Sequence, residues 1–464
     1  MREYLKSLVR YIVCEARDAG VKELNLVWSY PLALPEASRH EMSTFWGGVA
    51  GDYTGPHLAV QVGHMAITKI DGTDKAQFED SVSESEATCR TLAWYPKSPV
   101  PVGAGGLCVA IDVGGGSTDF AFWSKGNLLD QFSFKLAGND VLCGDLVSLP
   151  GFLEKVIWVA VGGNYPKEAL EGYLNLVMQG NEVEVLINYF LGEARNNAGI
   201  KYTDPNPLNH PAVIRIFSTG LTQSPWLEIR TLALLLFGGV SYYAGLHARD
   251  FINKTEMKNH VTLCFAGRGS SLLAWLSNNP RRLETVLTSF FTGGFSFENS
   301  AVPADLAVHV VGAPLGEAIK FPPLKEEVAT GSLRPAIGTV GTTQSPYVGE
   351  IGWRQPNATA PIAWNSRLTA AEMANLAPPQ DAGGLYIADF LHNWAAENPK
   401  VAALNIDLER IKKLNINKAD IQNKLVMDVK GTGTSQPLFA TELKSLMEKY
   451  VSFVLQSNSA AAAS

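Results

Sequence analysis

One octapeptide concentrates the chemistry of this sequence: Asp112-Val-Gly-Gly-Gly-Ser-Thr-Asp119, set directly after the apolar run LCVAID at 107–112. A continuous apolar run of that length reads as a strand buried on both faces. A carboxylate ending such a strand is costly to bury without a cation or a hydrogen-bond partner. Gly114, Gly115 and Gly116 have no side chains, so their backbone N–H groups can come close to an anion. Ser117 and Thr118 add hydroxyl donors, and Asp119 could hold the turn. The terminal phosphates of a nucleotide with Mg2+ call for such a set, with Asp112 reaching the metal mainly through water. The alternative is a glycine-rich hairpin turn that binds nothing. A Walker loop is excluded because no Gly-Lys-Ser/Thr follows. A dinucleotide fingerprint is excluded because Asp119 stands where its third glycine would fall and no helix opens there.

Two further places could serve the same chemistry. In LCFAGRGSSLLAWL, Gly267, Gly269 and Ser270 lie between an apolar strand and a helix. Such a turn lets a flat purine lie against backbone, Arg268 could stack on its face, and Ser270 could cap the helix. An ordinary strand-to-helix turn is the competing reading. Glu84 opens a helical stretch, where the helix dipole favours a carboxylate; a capping or solvated glutamate is the alternative, and Glu86 competes for any catalytic role. The eight histidines show no HExxH or other ligand spacing. The five cysteines never form a CxxC pair, which speaks against zinc and against a disulfide framework and for a reducing compartment.

The elements that must position these residues follow from periodicity. Residues 1–20 predict an amphipathic helix, with Leu5, Leu8, Val9, Ile12 and Val13 at helical spacing. ELNLVWSYP predicts a short strand and LAVQVGHMAITKI a clearer one; 84–95 predicts a helix, and 96–106 a linker. FAFWSKGNLLDQFSFKL predicts a hairpin turning at Lys125–Asn127. A mostly helical stretch spans 150–260, strands recur at 261–266 and 307–314, and helices return near 385–396 and 439–455. The tail SNSAAAAS has no evident reason to pack.

Composition sets the outer bounds. With 46% apolar and 18% charged residues, the chain can bury a sizeable core and is not disordered. The balance of 38 basic to 45 acidic residues provides no excess to track a phosphate backbone, so nucleic acid is a poor partner. The opening residues mix charges and do not form a signal peptide. Thr231–Leu246 is uncharged but shorter than the roughly 20 residues a spanning helix needs, and Gly238, Gly239 and Ser241 interrupt it. A buried helix and a cytoplasmic protein are the expectation.

Residues 112–119 resemble the second phosphate motif, Asp-x-Gly-Gly-Gly-Thr-x-Asp, of the actin, heat-shock-chaperone and sugar-kinase ATPase superfamily. Other segments are similar to family features in the same order. They are Val82-Ser-Glu84-Ser-Glu86-Ala-Thr for the segment connecting the lobes and Leu136-Ala-Gly-Asn-Asp140 for the step into the second lobe. LCFAGRGSSLLAWL follows for the adenosine motif, and Leu324–Gly331 for the closing helix. The resemblance covers roughly residues 20–331. It implies ATP or ADP with Mg2+ as ligands, Asp112 at the metal and in catalysis, and Glu84 orienting the attacking water. It also implies an α/β fold of ribonuclease-H-like lobes. The expected division is a partial first lobe at 1–100, a second lobe at 101–331 with a helical insertion, and a C-terminal extension at 332–464.

The pattern breaks at its start. No first phosphate motif, Asp-x-Gly-Thr/Ser, precedes Glu84; Asp71-Gly-Thr-Asp74 has the wrong spacing, and Met427–Thr434 is only a vague likeness. The expectation is therefore an ATP-binding protein that hydrolyses ATP when a missing first-lobe region or a protein partner supplies that part. The alternative is a non-catalytic interaction module keeping an actin-like fold. Small-molecule kinase activity has no residues to argue from, and no feature separates filament formation from chaperone-like action.

Overall fold

The computed structural model describes residues 2–30, 36–70, 73–79, 81–94, 105–125, 127–141, 226–252, 259–277, 279–299 and 301–312, together with parts of 332–463. Most of the expected helical insertion, and the expected closing helix Leu324–Gly331, lie outside the described residues.

The amino-terminal part opens with α1 (Arg2–Asp18), then β1 (Glu23–Leu26), β2 (Trp28–Tyr30), α2 (Glu36–Tyr53) and β3 (Ala59–Val62). β4 (His64–Ile70), β5 (Thr73–Glu79), β6 (Ser81–Ser83) and α3 (Glu84–Trp94) follow. Both strands expected here divide in two. Gly63 takes φ +95°, a left-handed conformation that interrupts LAVQVGHMAITKI and sends β3 and β4 to different partners. β1 pairs in parallel with β3, and β2 in parallel with β6. Val9 and Val13 of α1 pack with Val49, Ala50, Leu58 and Val60 in a small core of their own.

The central sheet is built from β7 (Leu107–Val113), β8 (Thr118–Ser124), β9 (Asn127–Phe134), β10 (His260–Ala266), β11 (Ala307–Gly312) and β12 (Gly338–Thr339). Their spatial order is β11-β10-β7-β8-β9-β12. β7, β8 and β9 form an antiparallel meander, while β10 lies parallel to both β7 and β11. Lys125, at φ +51°, starts the turn between β8 and β9, where the sequence places it. Every residue of β7 and β8 is buried, as the apolar runs predict.

The two faces of the sheet differ. Val109, Ile111, Phe120, Phe122, Leu263 and Phe265 join the main core, formed with α5 (Trp226–Ile252) and α7 (Pro280–Phe295). Cys108, Ala110, Ala121, Trp123 and Cys264 face Cys89 and Leu92 of α3. Helix α5 is long and apolar enough to cross a membrane, yet its most apolar window is wholly buried inside the protein. Its glycines account for that: a Cβ at Gly245 would collide with the Phe291 carbonyl, and one at Gly294 of α7 with the Tyr242 carbonyl. The two helices cross backbone against backbone.

After 331 come the short α8 (Ala370–Met373), then α9 (Tyr386–Ala395), α10 (Lys418–Thr432) and α11 (Leu438–Ala463). Trp353, Trp364, Tyr386, Phe439 and Tyr450 belong to the same core as the sheet. Glu442 of α11 is buried and accepts hydrogen bonds from Trp353 Nε1 at 2.8 Å and Ile387 N at 2.8 Å, tying α11 to the start of α9. Met427–Thr432 is helical within α10, so it is no displaced phosphate hairpin. Helix α11 runs on through the alanine tail as far as Ala463, as the high helix propensity of alanine favours.

Candidate functional site

Asp112 is the penultimate residue of β7 and pairs in register with Ala266, the last residue of the parallel strand β10. Two glycine loops therefore leave the same end of the sheet side by side. The carboxyl ends of parallel strands are where open α/β sheets place their ligands.

The first loop is a tight turn closed by Gly114 N donating to Ser117 O at 2.9 Å. Gly115 and Gly116 form its exposed tip. Behind it, the one-turn helix α4 (Gly138–Val141) supplies Gly138 N to Gly114 O at 3.1 Å and Asn139 N to Gly115 O at 2.9 Å. In the second loop Gly267 takes φ +77° and opens into a 3-10 turn, Arg268–Leu272, followed by α6 (Leu273–Leu276). A Cβ at Gly267 would collide with the Asp112 carboxylate, and one at Gly269 would lie 2.6 Å from Gly114 O and 2.7 Å from Val113 O. Only glycine lets the loops touch this closely. Gly138 closes the group, with a Cβ there 3.2 Å from Gly114 O and 3.4 Å from Gly269 Cα. The structure thus brings Asp112, Gly114–Ser117 and Gly267–Ser270 into one place.

Beside the loops lies a polar row on the face covered by α3. Asp112 stands opposite Asp119 across the β7–β8 pair, and both are buried. Ser117 Oγ donates to Asp119 Oδ2 at 3.2 Å, so Asp119 does steady the turn. Thr88 Oγ1 of α3 lies 3.5 Å from Asp112 Oδ2. Glu84 sits one turn earlier, half-buried, and the i,i+4 relation puts it on the flank of α3 that carries Thr88. Its competitor Glu86 accepts Arg90 Nε at 3.1 Å and Nη2 at 2.7 Å, an ion pair along the helix. Ser83 Oγ accepts Glu86 N at 3.2 Å and starts α3 as an N-cap, while also donating to Gln131 Oε1 at 2.6 Å.

Two hydroxyls expected beside the ligand are bonded inside the protein instead. Thr118 is buried and its hydroxyl donates to Leu136 O at 2.6 Å, fastening β8 to the segment after β9. Ser270 is likewise buried, and its hydroxyl is bonded to the Ala266 carbonyl. The N-cap of α6 is Leu272, with no side-chain cap bond, so Ser270 caps no helix. The Arg268 side chain lies outside the described residues.

Among the described residues, no group of three or more His, Cys, Asp and Glu side chains could hold a metal. Two facing carboxylates still suit Mg2+, which is bound by one or two carboxylates with waters and substrate phosphates completing its shell. Thr88 and Asn139 fall within segments that the sequence singles out but carry no role there, and Gln131 enters only as part of the predicted hairpin. Thr88 was findable from its spacing to Glu84; Gln131 and Asn139 matter only through contacts across strands and loops.

No protein-family model matches the chain, and no curated protein matches it. Among solved structures the chain is similar to MreB5 of Spiroplasma citri bound to ADP, at 18% identity and a TM-score of 0.22, over 32% of this chain and 36% of that one. That match spans about a third of the MreB5 chain. It is also similar to the PilM-PilN type IV pilus biogenesis complex, at 14% identity and a TM-score of 0.24, over 71% of this chain and 86% of that one. Both likenesses are weak, and no role of a residue at the site rests on them.

Proposed function

We propose that this chain binds an adenine nucleotide, ATP or ADP with Mg2+, at the carboxyl ends of β7 and β10. The observation that carries the reading is the backbone-on-backbone packing of Gly267 and Gly269 against Asp112–Gly114, which joins two glycine loops from adjacent parallel strands into one surface. In this reading the exposed N–H groups of Gly115 and Gly116 and the hydroxyl of Ser117 meet the phosphates, since an anion fits wherever successive backbone donors point the same way. Asp112 and Asp119 hold Mg2+ through water, and the metal's charge offsets two carboxylates placed face to face. Gly267–Gly269 offer a flat backbone surface to the purine. For hydrolysis, Glu84 is the group assigned to orient the attacking water.

Calorimetric titration with ADP and Mg2+ tests the proposal. Saturable binding that weakens at least tenfold in Asp112→Ala is expected; no heat at millimolar nucleotide sinks it. A second reading, a scaffold that keeps the fold without a ligand, has its own support. The Thr118 and Ser270 hydroxyls are spent inside the protein, and Asp112 touches Thr88 and the Gly267 turn. Under that reading Asp112→Ala lowers thermal stability and wild-type protein shows no shift with nucleotide.

A further inference from the structure

We propose that α11 is a positioning element for the Gly114–Gly116 loop, acting through Lys444; the inference rests on the nucleotide reading for its purpose but not for its geometry. Lys444 Nζ lies 3.0 Å from Asp140 Oδ1 and donates to Lys135 O at 3.3 Å. The other oxygen of Asp140, Oδ2, accepts Ala137 N at 2.8 Å and so shapes the start of α4. The next two amides in the chain, Gly138 N and Asn139 N, are the ones that grip Gly114 O and Gly115 O. The path from Lys444 to the loop is thus one ion pair, one turn and two backbone bonds. Other C-terminal groups hold the same segment: Gln436 Oε1 accepts Lys135 N at 2.8 Å, and Arg367 Nη2 donates to Ser133 O.

The consequence follows from peptide planarity. The carbonyl of Gly114 and the N–H of Gly115 share one rigid trans unit and point in opposite directions, as do the carbonyl of Gly115 and the N–H of Gly116. Bonding both carbonyls to α4 turns both N–H groups away from α4, toward the exposed side of the loop. Three consecutive glycines would otherwise sample many conformations, and ordering them would weaken anion binding by the entropy lost. The clamp fixes them beforehand. Lys444 is a positioning residue here, with no contact to the loop itself.

Two measurements on full-length protein test this: amide hydrogen exchange at Gly138 and Asn139, and affinity for ADP with Mg2+. In Lys444→Met, exchange at both amides is expected to rise, and ADP affinity to fall, by about 2- to 5-fold, the range for loss of a partly exposed ion pair. Lys444→Arg should restore both. Lys449→Met, on the same helix as Lys444 but ion-paired to Asp420 of α10, should change neither. Wild-type exchange at Gly138 and Asn139 in Lys444→Met overturns the clamp. Faster exchange with unchanged ADP affinity overturns its role in binding. If the wild-type protein binds no ADP, the nucleotide reading fails, and the exchange data still decide the clamp.

Discussion

Asp112 and Asp119 face each other across the β7–β8 pair, both buried on the face that α3 covers. Directly opposed side chains on antiparallel strands have Cβ atoms about 5 Å apart, and like charges there are destabilising. A strand pair that keeps both carboxylates gains from any cation between them.

Asp119→Asn keeps an oxygen able to accept from Ser117 Oγ and removes one of the two opposed carboxylates. Millimolar Mg2+ should raise the melting temperature of the wild type and do so less in Asp119→Asn, because a ligand that binds only the folded state stabilises it by mass action. Thermal melts with and without Mg2+ read both effects. Equal Mg2+ shifts in the two proteins would rule out a cation at this pair.

The glycines of the site should separate into two groups. Gly269→Ala places a methyl 2.6 Å from the Gly114 carbonyl, backbone that cannot yield, and should destabilise by about 1–3 kcal/mol. Gly116→Ala meets nothing within 4 Å and should change stability by less than about 0.5 kcal/mol. If the exposed tip receives phosphate, Gly116→Ala still lowers nucleotide affinity. Urea unfolding combined with ADP titration distinguishes a folding role from a binding role.

Glu442 should make stability fall as pH rises. Burial pushes its carboxyl up to about 8 from the ordinary 4.5, against the lowering effect of the Trp353, Ile387 and Tyr386 donors. Between those values the folded protein holds a proton that the unfolded chain has released, so stability is full below about pH 4.5 and is lost progressively toward pH 8. Glu442→Gln, which mimics the protonated acid, should flatten that limb in melts taken across the range. An unchanged slope would exclude Glu442 as its source.

His247 should act in the opposite direction. It lies buried against Phe132, with ring centroids 4.1 Å apart, and edge-on to Trp364, and its Nε2 has no hydrogen-bond partner among the described residues. Burial holds its imidazole well below the ordinary 6.5. The unfolded chain then binds a proton that the folded one refuses, so stability is present above about 6.5 and lost as pH falls toward the depressed value. His247→Phe, which keeps the aromatic packing and removes the titrating nitrogen, should abolish that acid limb and leave stability at pH 8 within about 1 kcal/mol. A persisting acid limb would assign it elsewhere.

Much of the site was legible because its parts are local in sequence. Leu107–Val113 is apolar at every position but Asp112, so a buried strand ending in a carboxylate could be read directly, and three glycines in a row mark a tight turn. The same locality misled at Thr118 and Ser270. A hydroxyl beside a glycine turn looks available in sequence, while its rotamer and its carbonyl partner belong to the folded backbone. The strand break at Gly63 was likewise hidden, because a glycine within an apolar run does not announce a positive φ.

The sequence by itself determined the strand–turn–strand at 107–124, the helix opening at Glu84, and the buried nature of the Thr231–Leu246 stretch. Each rests on periodicity or composition within one segment. Tertiary structure alone decided that Gly267 and Gly269 press against Asp112 and Gly114, and that Asp112 opposes Asp119 beneath Thr88. It also decided that Lys444 reaches back to Asp140. Those contacts join residues as many as three hundred positions apart, and their energies depend on sheet register and helix packing, which no single segment encodes.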